Sequence, residues 1–110
     1  MPQHSRLSSG PSGVAGEYFV AAELTRRGYV ASLTLRNTRG IDILASNMDA
    51  TRSIGIQVKT KQGRGAEWVL NQKVETLDLA ENLCFVFVCL NDLGTPEYYV
   101  PKKDQRHTLE

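Results

Sequence analysis

This sequence of 110 residues predicts an α/β fold, one β-sheet with helices packed against it. Three observations lead there. Apolar residues recur at helical spacing between positions 14 and 27, short segments rich in β-branched and aromatic residues follow, and a second helical spacing separates the third of them from the last two. The order along the chain reads α-β-β-β-α-β-β. A chain of this length supports one domain with one modest core, expected over residues 14–110.

Each element has its own reason. Residues 1–13, which include Ser8-Ser9-Gly10-Pro11-Ser12-Gly13, have the composition of a flexible tail. Between 14 and 27, Val14, Ala15, Tyr18, Phe19, Ala21, Ala22 and Leu24 form an apolar stripe, with Ser12 as N-cap and Gly28 as the stop. Residues 29–35 are rich in β-formers, 36–40 break the run, and 41–45 resume it. Residues 47–52 read as a loop. Ile54, Ile56 and Val58 then alternate with Gly55, Gln57 and Lys59, a strand expected to form a hairpin with 41–45. Residues 61–65 form a basic, glycine-containing loop, 67–70 a short strand and 71–82 a second helix on Val74, Leu77 and Ala80. The apolar run 83–90 has strand length, 91–96 is a turn, and 97–100 is a return strand.

Composition narrows the function. No run of about 18 apolar residues offers a membrane span, and the polar opening residues are not a secretory signal, so a cytoplasmic protein is expected. Cys84 and Cys89, five positions apart on one strand, point to opposite faces and are read as reduced core residues. His4 and His107 share no metal-ligand spacing, and no phosphate-binding glycine loop, dinucleotide fingerprint or Ser-His-Asp set occurs. The net charge of +1 is unevenly spread. Residues 1–66 carry nine Lys and Arg against four Asp and Glu, a surplus of +5, whereas 67–110 carry four against eight, or −4. A basic half suits a polyanionic partner if chemistry stands beside it.

Four residues supply that chemistry. At about 100° per residue, Glu17 falls between Leu24 and Ala21, at the edge of the apolar face of its helix. Taken alone it also reads as a first-turn glutamate favoured by the helix dipole. Gln57 and Lys59 are two apart and share a strand face, and a hairpin whose paired numbers sum to about 99 or 101 sets Asp42 opposite one or the other. The alternative is a cross-strand ion pair between Asp42 and Lys59, worth under about 1 kcal/mol. A carboxylate, an amide and an ammonium on one face suit phosphodiester cleavage, in which a nucleophile must approach an anion and a hard cation such as Mg²⁺ or Mn²⁺ offsets the charge. Asp42 is then the direct ligand, with Glu17 direct or through water. Gln57 and the Val58 carbonyl are neutral ligands, and Lys59 assists the attack.

The segments Gly16-Glu17, Gly40-Ile41-Asp42-Ile43-Leu44 and Ile56-Gln57-Val58-Lys59 resemble those of the PD-(D/E)xK nuclease superfamily, the restriction-endonuclease-like fold that includes Holliday-junction resolvases. The resemblance covers about residues 14–100. It implies a mixed β-sheet core flanked by helices, with Glu17 as the helix acid, Asp42 as the central metal-binding acid, Gln57 as the strand ligand and Lys59 as the catalytic lysine. Ile41 stands where the name-giving proline would be. Gln57 replaces the usual acid, as in the Q-x-K branch, which removes a charge and favours a site using one metal.

By that resemblance the expected activity is metal-dependent, endonucleolytic cleavage of DNA. Arg36, Arg39, Lys61 and Arg64 are candidate phosphate contacts, or ordinary solvated charges. Trp68 reads as core before base-stacking. So small a chain has little surface for reading a sequence, so recognition of DNA structure or a homodimer with two sites is expected. Gln57 keeps open a binding module without cleavage, and a salt-bridged sheet surface is the third reading.

Overall fold

The computed structural model describes residues 9–34, 40–63 and 83–101. One helix, α1 (Ser9–Arg26), precedes five strands, β1 (Val30–Leu33), β2 (Ile43–Ser46), β3 (Ser53–Lys61), β4 (Leu83–Cys89) and β5 (Glu97–Tyr99). They form one mixed sheet in the order β1-β2-β3-β4-β5, antiparallel throughout except for the parallel β3–β4 pair. A parallel pair needs a crossover connection, which falls to residues 62–82. The strand predicted at 67–70 and the helix at 71–82 lie there, outside the described residues. Among the described residues, no helix is long and apolar enough to cross a membrane.

The helix begins at Ser9, which corrects two expectations. Residues 9–13 are helical rather than a tail, and Ser12 lies inside the helix, buried, rather than capping it. The Ser-Gly-Pro-Ser-Gly composition reads as a loop, yet Pro11 falls in the first turn, where its missing N–H costs nothing and its φ is already helical. Burial of Ser12 then outweighs the weak local propensity. The stop at Gly28 is as expected. Gly28 adopts φ +96°, its N–H donates to Thr25 C=O at 3.0 Å, and the Tyr29 N–H donates to Leu24 C=O at 3.1 Å, a Schellman closure.

The core lies between α1 and one sheet face. Val20 packs with Ile43, Ala45, Ile56, Cys84, Val86, Val88 and Leu90. Thr60 lies on the same face, and there the helix comes closest: a Cβ on Gly16 would overlap the Thr60 side chain. Only glycine lets α1 sit this low on β3. β4 is buried along nearly its whole length, as its unbroken apolar run predicts. Phe85, Phe87 and Cys89 alternate with the helix-facing residues and are buried on the opposite face. Cys84 and Cys89 are both free and buried. Tyr98 packs against the core and its hydroxyl donates to Phe19 C=O at 3.3 Å, so β5 is tied to α1. Burial, followed by the charge of Glu23, holds the Tyr98 phenol above its ordinary pKa.

Candidate functional site

Asp42 sits where β2 separates from β3. Ile43 pairs with Ile56, so the register sums to 99 and its continuation would set Asp42 opposite Gln57. The ladder breaks first. The Asp42 N–H donates to Ile56 C=O at 2.8 Å, one residue short of the register, while toward β1 the pairing holds, with Thr34 N–H donating to Asp42 C=O at 3.0 Å. The next N–H of β3 on that edge is Val58's, and the Asp42 side chain takes it: Oδ2 accepts at 2.7 Å. Asp42 therefore meets the backbone between Gln57 and Lys59. In an antiparallel ladder one residue's N–H and C=O point to the same neighbour, so the Val58 carbonyl is directed at the same gap.

Gln57 and Lys59 flank that gap on one face. Ile56, Val58 and Thr60 are turned toward α1, so Gln57 and Lys59 alternate onto the opposite face, beside their β4 partners Phe85 and Phe87. Gly40, at φ +73°, lies against the Gln57 amide: a Cβ there would be 3.5 Å from Oε1. All three polar residues are half-buried. Among the described residues, the Gln57 and Lys59 side chains and Asp42 Oδ1 have no hydrogen-bonding or ionic partner. Ion pairs join Glu23 to Arg26 at 3.7 Å and to Arg27 at 2.6 Å, at the C-terminal end of α1. The Arg27 bond holds the Glu23 carboxyl below its ordinary pKa. An Asp42–Lys59 ion pair is not formed among the described residues.

Glu17 occupies the other layer. It is the ninth residue of a helix that starts at Ser9, so the first-turn dipole no longer accounts for it. It follows Gly16, the point of closest approach to β3, and is half-buried on the helix that covers the face opposite Gln57 and Lys59. The structure thus brings Asp42, Gln57, Val58 and Lys59 together and sets Glu17, on α1, in the layer across the sheet from the Gln57 and Lys59 side chains. Lys61 ends β3, where its carbonyl accepts the Leu90 N–H at 2.8 Å. Arg36, Arg39, Arg64 and Trp68 lie outside the described residues.

The donors at the gap are oxygens: Asp42 Oδ1, Gln57 Oε1 and the Val58 carbonyl. That set suits a hard cation that keeps several waters and takes one or two carboxylates, and it does not suit zinc. Among the described residues, no three His, Cys, Asp or Glu side chains gather to hold a metal. Thr34 is the site residue that sequence reasoning missed. Its hydroxyl donates to Ile41 C=O at 2.6 Å, with Asp42 C=O at 3.3 Å. Nothing in composition or periodicity singles it out, because its role depends on Ile41 and Asp42 lying beside it in the fold. No protein-family model, curated protein or solved structure matches this chain.

Proposed function

We propose that this protein is a divalent-metal-dependent nuclease that hydrolyses DNA phosphodiester bonds, built on a restriction-endonuclease-like sheet. One observation carries the reading: the Asp42 carboxylate is anchored on the Val58 N–H at a break in the sheet, while its second oxygen, the Gln57 amide and the Lys59 ammonium lack partners among the described residues. Half-buried polar groups ordinarily satisfy one another. A set left open in one place suits a ligand that is cationic at Asp42 and anionic at Lys59, as a metal-bound phosphodiester is. The order of α1, three antiparallel strands and a parallel β4 also agrees with that fold.

When bound, Mg²⁺ or Mn²⁺ would neutralise phosphate charge and make a coordinated water more acidic. Asp42, Gln57 Oε1 and the Val58 carbonyl would hold it. Lys59 would orient the attacking water and stabilise charge building on the phosphoryl oxygens. Glu17, in the neighbouring layer, would act through water.

The test is cleavage of plasmid, linear duplex, single-stranded and four-way-junction DNA with Mg²⁺ or Mn²⁺ and with chelator. Metal-dependent cutting is expected, with the preferred substrate identifying the DNA structure recognised. Lys59→Ala should slow it about 10²-fold through loss of charge stabilisation. Glu17→Gln should slow it only about 10-fold, the scale for a group acting through the ligands. Equal losses in the two variants would contradict the assignment to separate layers. Metal-independent DNA binding without cutting would replace the nuclease by a binding module.

A further inference from the structure

We infer that Thr34 is a positioning residue for Asp42, and that its hydroxyl sets how the carboxylate is presented at the gap. Asp42 lies where the β2–β3 ladder has broken, so few bonds locate it. Toward β3 it has its own N–H on Ile56 C=O at 2.8 Å and its carboxylate on Val58 N–H at 2.7 Å. Toward β1, the bonds that hold it among the described residues come from Thr34. The Thr34 N–H holds Asp42 C=O at 3.0 Å, and the hydroxyl, with one hydrogen to give, takes Ile41 C=O at 2.6 Å in preference to Asp42 C=O at 3.3 Å.

The hydroxyl thereby fixes the residue before Asp42, and the Ile41 side chain is fixed in turn. It lies over Gly55, where a Cβ would come within 3.2 Å of Ile41 Cδ1. The Ile41–Asp42 peptide is gripped from both neighbouring strands. With the hydroxyl removed, the backbone bond from Thr34 survives, but the Ile41 carbonyl loses its donor and the peptide is free to tilt. A tilt carries Asp42 Oδ2 away from the Val58 N–H.

Two variants and two readouts test this. Thr34→Val keeps the shape and removes the hydroxyl, and Thr34→Ser restores it. Amide hydrogen exchange should show Val58 exchanging faster in Thr34→Val than in wild type, with Val86 and Val88 unchanged, and Thr34→Ser should return Val58 to the wild-type rate. In a Mn²⁺ titration of the ¹⁵N-labelled protein, the midpoint for broadening of the Asp42 and Val58 amides should rise about tenfold in Thr34→Val and recover in Thr34→Ser. The metal readout rests on the proposed nuclease reading, while the exchange readout does not. If wild type binds no Mn²⁺ yet Val58 exchange accelerates in Thr34→Val, the positioning role stands and the nuclease reading fails. Unchanged Val58 exchange in folded Thr34→Val overturns the inference, as does equal acceleration across the whole sheet, which marks simple destabilisation.

Discussion

Asp42→Asn is expected to reduce metal-dependent DNA cleavage by about 10³-fold while leaving the protein folded, because several kcal/mol of charge stabilisation is lost at about 1.4 kcal/mol per decade of rate. The choice of Asn matters. Asp42 has a structural duty, accepting the Val58 N–H at 2.7 Å, and an amide oxygen can perform it. What Asn cannot supply is negative charge for a cation. Asp42→Ala removes both, and leaving the Val58 N–H without an acceptor costs about 1–3 kcal/mol of stability. The comparison therefore separates the two duties: cleavage should be lost in both variants, and melting temperature should fall clearly only in Asp42→Ala. Cleavage that survives in Asp42→Asn within about tenfold of wild type would remove Asp42 from the site.

Gly16→Ala should give the largest loss of stability for its size, a net cost of about 2 kcal/mol. Alanine is worth about 1 kcal/mol more than glycine inside a helix, so an unconstrained position would gain. Here the new methyl would overlap the Thr60 side chain. β3 is held on both sides, by β2 and by the full parallel pairing with β4, so α1 has to rise. Overpacking of this kind costs about 1–3 kcal/mol or more. A fall in melting temperature of about 10 °C is expected for a domain of this size. The Thr60 hydroxyl is buried without a partner among the described residues, so Thr60→Ala alone should be nearly neutral. Combined with Gly16→Ala it should recover about 1 kcal/mol of the loss, a coupling expected only of residues in contact. Strictly additive effects would place the strain elsewhere. Because α1 also carries Glu17, the lifted helix should slow cleavage further than the melting curve alone accounts for.

Much of the sheet was legible because its signals are local. Alternation of Ile54, Ile56 and Val58 identifies β3 and places Gln57 and Lys59 on one face, the unbroken run ending at Leu90 identifies a strand covered on both sides, and Gly28 marks the end of α1. The start of α1 was not legible. Ser9 to Gly13 carry loop-forming composition, and what holds them helical is burial of Ser12 and the seating of the helix on β3. The layer of Glu17 was hidden for a related reason, since periodicity tells which face of a helix is apolar but not which face of a sheet it covers.

At Asp42 the spacing led close to the answer. Counting pairs places it near Gln57 and Lys59, yet the bond it makes is to the Val58 backbone between them, because the ladder breaks at that residue. Such a break leaves no mark in residue types. Thr34 is the same case, a strand-end residue whose hydroxyl matters through what the chain brings back to it seven positions later.

The most direct measurement of the central claim is Mn²⁺ titration of the ¹⁵N-labelled protein, followed amide by amide, in wild type and in Asp42→Asn. Cation binding at the gap should broaden Gly40, Ile41, Asp42, Gln57, Val58 and Lys59 first in wild type, and this local broadening should vanish in Asp42→Asn. Broadening that instead centres on the exposed acids Asp49, Asp92 or Glu97, or that is identical in the two proteins, would contradict a metal site at Asp42 and with it the proposed nuclease.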